Sequence, residues 1–185
     1  ELHVFAVGRV PAGTAVLRSG TRPGDALYVT GRLGGSGCRG RHLRFPPRLQ
    51  EGGWLRKYEW ASAMMDVSDG LAADLPRLAD SSGAGARLVA SAIPVSPDVA
   101  AGRGAGSPLE HAFSDGEDYE LLFTVPESRR VAFTKAWARR FRLHVSLIGR
   151  ITGNRGRIEC VMPDGRVSGL GCGYEHFPEN KRGRR

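Results

Sequence analysis

The stretch ASAMMDVSDGLAADLPRLAD, residues 61–80, limits the possible folds more than any other part of the chain. Its first half is a short apolar run of the kind that forms a strand. Its second half places Leu71, Leu75 and Leu78 at i, i+4 and i+7, one face of a helix. Ser68 or Asp69 stands where a helix N-cap is needed, and Gly83 stands where the helix can end. Pro76 falls inside the pattern and is expected to kink or restart the helix. The strand thus delivers Asp66 and Asp69 to its own end, where the helix begins. Two carboxylates at that spacing can converge on one hard cation. Mg2+ takes oxygen ligands, keeps several waters, and suits one or two carboxylates completed by phosphates. The helix N-terminus offers free N–H groups to a phosphate, and Ser68 adds a hydroxyl. A purely structural reading stays open, with Asp66 paired to an arginine and Asp69 capping the helix.

Elsewhere, residues 2–10, 26–31, 86–95 and 119–126 read as strands, as do LHVSLIGRIT, GRIECVMP and GRVSGL near the end. The last two are joined by a Pro-Asp-Gly turn. Residues 127–141 form the clearest helix, with Val131, Phe133, Ala136, Trp137 and Phe141 on its apolar side. Residues 45–49, FPPRL, are stiffened by two prolines and expected to be extended. Strands outnumber helices, so the expected class is α+β: a mixed β-sheet with packed helices.

Three further segments can carry chemistry. In SDGEDYELLF, residues 114–123, four acids crowd a turn before a strand. Clustered carboxylates repel unless they bind cations or a positively charged ligand, and otherwise form a solvated acidic turn. After the strand ALYVTG comes a loop with glycines at 31, 34, 35, 37 and 40, whose backbone N–H groups can approach a phosphate. It lacks the G-K-[ST] ending of a P-loop. In GCGYEHF, residues 171–177, Tyr174 can stack on a flat heterocycle, or else Tyr174 and Phe177 cap the core.

The formal net charge is +8, yet part of it lies in the terminal KRGRR and the rest is scattered arginine. No basic helix with interleaved aromatics is present, so nucleic acid is not the expected partner. A basic surface also suits a phosphorylated substrate. No apolar run approaches the ~18–20 residues that span a bilayer. Cys38, Cys160 and Cys172 lack C-x-x-C spacing, which argues against a zinc site or a disulfide framework and for a cytoplasmic location.

Taken in order, RSGTRPGDALYVTGRLGGS (18–36), HLRFPPRL (42–49), AMMDVSDGLAADLPRLADSSGAGA (63–86), IPVSP (93–97), DGEDYELLFTVP (115–126), LIGRIT (147–152) and GYEHF (173–177) resemble the thiamine-monophosphate kinases, in the superfamily of aminoimidazole ribonucleotide synthetase. The resemblance implies transfer of the ATP γ-phosphate to thiamine monophosphate, with Mg2+ required. It implies that Asp66 and Asp69 ligate Mg2+, that Arg18 and Ser68 contact ATP, and that Glu117 and Tyr174 contact thiamine phosphate. It also implies a division of the chain. Residues 1–17 are the remnant of an N-terminal domain's last strand and linker, residues 18–178 the C-terminal kinase domain, and residues 179–185 a basic tail. Members of the family carry further metal-binding aspartates and a dimer interface in an N-terminal domain. They also continue the GGS loop into a helix that is deleted or shortened here. A truncated or split kinase, inactive alone, is therefore expected, with a homodimer or a separately encoded N-terminal half as partner. Two other readings stay open: a non-catalytic binding remnant of the same fold, or another ATP-dependent phosphoryl transferase of the superfamily.

Overall fold

A computed structural model describes residues 5, 7–100 and 106–169. The elements in chain order are β1 (Ala26–Thr30), α1 (Leu49–Lys57), β2 (Ala63–Val67), α2 (Leu71–Asp80), β3 (Gly85–Val89), α3 (Pro97–Ala100), α4 (Pro108–Ser114), β4 (Glu120–Val125), α5 (Arg130–Arg140), β5 (Val145–Thr152), β6 (Ile158–Val161) and β7 (Val167–Gly169). The strands form one seven-stranded sheet in the order β2-β4-β1-β5-β3-β6-β7. All neighbours run antiparallel except β3 and β6, which are parallel. The sheet is mixed, as expected.

β1 is buried along its whole length because both faces of the sheet are covered there. Leu27 and Val29 point to one face, where Leu71, Leu75 and Leu78 of α2 and Ala112 of α4 join Met65, Val67, Leu122 and Ile148. Ala26 and Tyr28 point to the other, where Leu55 of α1 and Phe133 and Trp137 of α5 pack with Phe123 and Val125. That second layer is largely aromatic. Tyr28 meets Phe133 edge-on at 4.9 Å between centroids, and Trp54 meets Trp137 edge-on at 5.8 Å. Edge-to-face pairs of this kind contribute about 0.5–1.5 kcal/mol each beyond the area they bury.

Three local expectations are corrected. Pro76 neither ends nor restarts α2, which runs unbroken from Leu71 to Asp80. Its missing N–H costs about 3 kcal/mol, but Leu71, Leu75 and Leu78 are wholly buried, at about 1.5–3 kcal/mol each. Neither Ser68 nor Asp69 caps α2; Gly70 occupies the N-cap, with no side-chain cap. Residues 49–57 form a helix that the two prolines before it concealed. Residues 7–10 have no regular structure, and the rest of the expected first strand lies mostly outside the described residues. After the GGS loop stand two 3-10 turns, Ser36–Arg39 and Arg41–Leu43. Among the described residues no helix is long and apolar enough to cross a membrane.

Candidate functional site

β2 and β4 are antiparallel neighbours, with Val67 opposite Glu120. The end of β2 and the start of β4 therefore meet at one end of the sheet. The turn leaving β2 and the turn entering β4 are laced together there. Glu117 N–H donates to the Ser68 carbonyl at 2.7 Å, and Tyr119 N–H donates to the Val67 carbonyl at 2.8 Å. The approach is close enough to require glycine on both sides. A Cβ on Gly70 would lie 2.5 Å from the Phe113 carbonyl oxygen, and one on Gly116 would lie 2.7 Å from that of Ser68. Glu117 and Tyr119 themselves adopt left-handed backbone, φ 54° and 51°. Non-glycine residues held so cost about 1–2 kcal/mol each, and such strain concentrates at functional sites.

The lacing sorts the four acids. Asp118 is buried and accepts from Gly34 N–H at 2.9 Å, Ser36 Oγ at 2.6 Å and Arg41 Nη2 at 2.6 Å. Burial pushes its carboxyl above the usual range, while Ser36, Gly34 and Arg41 pull the other way. Asp115 accepts from Gly35 N–H at 2.7 Å and meets His111 Nδ1 at 2.9 Å. Glu120 takes Thr30 Oγ1 at 2.6 Å and both Nε and Nη2 of Arg48, at 2.7 and 2.6 Å. Only Glu117 projects outward, with its side chain 53% exposed. The N–H groups of Gly34 and Gly35, which the sequence offered to a phosphate, are thus already taken by Asp118 and Asp115. The crowding of acids is relieved by the glycine loop and two arginines rather than by a ligand.

The segment 41–48 follows the acid turn closely. Arg41 meets Asp118, Arg48 meets Glu120, and Phe45 stacks on Tyr119 with centroids 4.3 Å apart. His42 Nδ1 lies 4.0 Å from Glu117.

Across the lacing, Asp66 is exposed and Asp69 is half-buried. Both charges, with that of Glu117, act on the Tyr119 hydroxyl. Its pKa is raised first by burial and then by Glu117, Asp66 and Asp69 in that order. The lacing hydrogen bonds bring the three carboxylates to the same end of the sheet. The Asp66–Ser68–Asp69 turn is held from below by Asp74. This carboxylate is wholly buried and accepts the N–H groups of Ser68 and Asp69, each at 2.9 Å. Arg77 Nη1 contacts Asp69 and, at 2.8 Å, Asp74.

The structure therefore brings Asp66, Ser68, Asp69 and Glu117 together. Arg18 is exposed and follows Leu17, whose carbonyl accepts from Met64 N–H. That places it beside the first half of β2 rather than at the end where Asp66 stands. Tyr174 and the basic tail lie outside the described residues. Among the described residues, no group of three or more His, Cys, Asp or Glu could by itself hold a metal ion. The donors present are carboxylate and hydroxyl oxygens, which fit a hard divalent cation whose shell is completed by water and phosphate.

Sequence reasoning missed Asp74, Arg77 and the 41–48 strap. Asp74 did carry a signal. It falls at i+3 from Leu71, inside the apolar stripe of α2, and an acid in such a stripe is buried and needs partners.

The profile described as AIR synthase related protein, C-terminal domain, matches residues 39–161. The chain belongs to the AIR synthase related family. Within it, the thiamine-monophosphate kinase of Rhodopirellula baltica is 40% identical over 164 residues, covering 83% of this chain and 50% of that protein. The thiamine-monophosphate kinase of Salmonella typhimurium is 37% identical over 190 residues, covering 92% and 58%. Among solved structures, AaThiL complexed with AMPPCP and TMP superposes with a TM-score of 0.69 at 32% identity, over 88% of this chain and 54% of that one. The chain thus spans a little over half the length of the AIR synthase related proteins it matches.

Proposed function

We propose that this chain supplies the phosphate- and cation-handling half of a thiamine-monophosphate kinase. The reaction would move the terminal phosphoryl group of ATP to a phosphate oxygen of thiamine monophosphate, giving thiamine diphosphate and ADP. The observation that carries the proposal is the lacing of the two turns, Glu117 N–H to the Ser68 carbonyl and Tyr119 N–H to the Val67 carbonyl, which brings Asp66, Asp69 and Glu117 to one end of the sheet. The relatives named as thiamine-monophosphate kinases and the AaThiL complex support the choice of substrates.

Phosphoryl transfer needs positioning and charge neutralisation more than a covalent catalyst. Asp66 and Asp69 would hold Mg2+, which when bound neutralises phosphate charge. The Ser68 hydroxyl, on the same turn, would donate to a phosphate oxygen of ATP. Glu117 faces outward, where it can pair with the positively charged thiazolium ring. Its left-handed backbone is fixed by the hydrogen bond to Ser68, so the residue that contacts one substrate is tied to the turn that handles the other. Arg18 is assigned to ATP and Tyr174 to thiamine phosphate. Two carboxylates hold too few cations to neutralise two phosphorylated substrates. The remaining ligands are assigned to residues outside this chain, in a longer form of the protein, a separately encoded half or a second copy. An ATP-consuming step of this kind belongs in the cytoplasm.

Calorimetry with an ATP analogue and Mg2+ tests the reading. Asp66→Asn is expected to abolish the Mg2+-dependent part of nucleotide binding while the protein stays folded. Unchanged binding in that variant would remove Asp66 from the site. Turnover of thiamine monophosphate by the isolated chain, with sedimentation showing it monomeric, would refute the division of the site between this chain and residues outside it.

A further inference from the structure

We propose that Arg77 is a tethered counter-ion for the cation-facing turn, and that its pair with Asp69 Oδ2 and a divalent cation bound at that same oxygen exclude each other. The inference rests on the reading of Asp69 as a cation ligand. Arg77 Nη1 is shared between two carboxylates that are held very differently. Asp74 is wholly buried and fixed by the N–H groups of Ser68 and Asp69, so its contact with Arg77 is the anchored one. Asp69 keeps 21% of its side chain exposed, and Arg77 keeps 47%. The guanidinium is therefore at the surface, joined to α2 by a flexible stem, and can leave Asp69 while keeping Asp74.

The turn cannot move away to accommodate both partners, because Asp74 pins the backbone of Ser68 and Asp69. A cation taking the Oδ2 oxygen of Asp69, the one that Arg77 holds, must therefore displace Arg77. Without a cation, Asp66, Asp69 and Glu117 bring like charge to the two laced turns, and Arg77, paired with Asp69, offsets part of that repulsion. An exposed pair of this kind is weak enough for a divalent cation to displace it. The turn then stays folded without its metal and exchanges one counter-charge for another when the metal arrives.

The test uses the full chain, Mn2+ as probe, and the variants Arg77→Gln, Arg77→Lys and Asp69→Asn. Arg77→Gln is expected to bind Mn2+ about fivefold more tightly, the equilibrium equivalent of losing one exposed ion pair. Arg77→Lys keeps the charge and should stay near wild type. In chelator Arg77→Gln should melt lower than wild type, and Mn2+ should restore it. In nitrogen-labelled wild-type protein, the Arg77 Nε–H resonance should shift on adding Mg2+. Equal or weaker Mn2+ binding by folded Arg77→Gln, with wild-type binding intact and lost in Asp69→Asn, overturns the exclusion but leaves Asp69 a ligand. Binding that survives Asp69→Asn unchanged, or no binding by any of the proteins, overturns the ligand reading and the inference with it.

Discussion

The turn at 115–120 and the turn at 66–69 carry their acids side by side, yet the first ties most of its carboxylates to distant segments and the second leaves Asp66 exposed and Asp69 paired at its edge with Arg77 of the following helix. Asp115, Asp118 and Glu120 are hydrogen-bonded to the glycine loop, Arg41, Thr30 and Arg48, and they hold the 31–48 segment against the sheet. Asp66 is exposed, Asp69 is half-buried and paired with Arg77, and the acid that supports their turn, Asp74, is borrowed from the following helix. Glu117 belongs to the first turn by sequence and to the second by direction. The number of acids in a segment is thus a poor guide to the number of ligands. What decides is whether N–H donors and arginines from elsewhere occupy the carboxylate fully, as at Asp118 and Glu120, or leave one of its oxygens unclaimed by them.

Removing an inward acid should do the most damage. Asp118→Ala leaves Arg41, Ser36 and Gly34 N–H facing a buried gap, a loss of about 3–5 kcal/mol for a broken buried pair. Urea denaturation would measure it, and a loss below about 1 kcal/mol would mean the loop does not depend on this carboxylate. Glu120→Gln should follow. It keeps an oxygen for Thr30 but loses the two-pronged charged contact with Arg48, a cost of about 2 kcal/mol in the same titration. If Glu120→Gln proved as costly as Asp118→Ala, the anchoring of α1 rather than of the glycine loop would be the stronger tie. Phe45→Ala removes the ring stacked on Tyr119, at about 1 kcal/mol. Tyrosine fluorescence and melting should report it together, and a melting change without any tyrosine signal would place the loss elsewhere in the strap.

Much of this frame was legible in the sequence where apolar residues kept a period. The Leu71, Leu75, Leu78 stripe announced α2, and the run YELLFTV announced β4. α1 was not legible. LQEGGWLRK has two glycines in its middle and little amphipathic pattern, and it is helical because Trp54 and Leu55 pack into an aromatic layer assembled from α5 and the sheet. The partnership of the glycine loop with the acid turn was also out of reach. Gly34 and Asp118 are 84 residues apart, and no local rule relates an N–H group to a carboxylate at that distance. Each segment alone looked like a ligand site, because a free donor and a free acceptor both look functional until they are seen to satisfy each other.

The smallest effect is the sharpest test of where Glu117 points. Glu117→Gln removes a charge from an exposed side chain with no buried partner, so stability should stay within about 0.5 kcal/mol of wild type. Its signature is instead on Tyr119. A phenol ionises to an anion, and the Glu117 carboxylate beside it makes that harder, which is part of why the Tyr119 pKa is raised. Taking the charge away must lower that pKa toward its ordinary value. Asp66→Asn and Asp69→Asn should move it the same way by smaller steps, in that order. An alkaline titration of labelled tyrosine, with Tyr119→Phe to assign the signal, reads the shift. A Tyr119 titration unmoved by Glu117→Gln, but moved by Asp66→Asn, would show that Glu117 has turned away from the shared site, and the pairing of the two turns would then be a feature of the backbone alone.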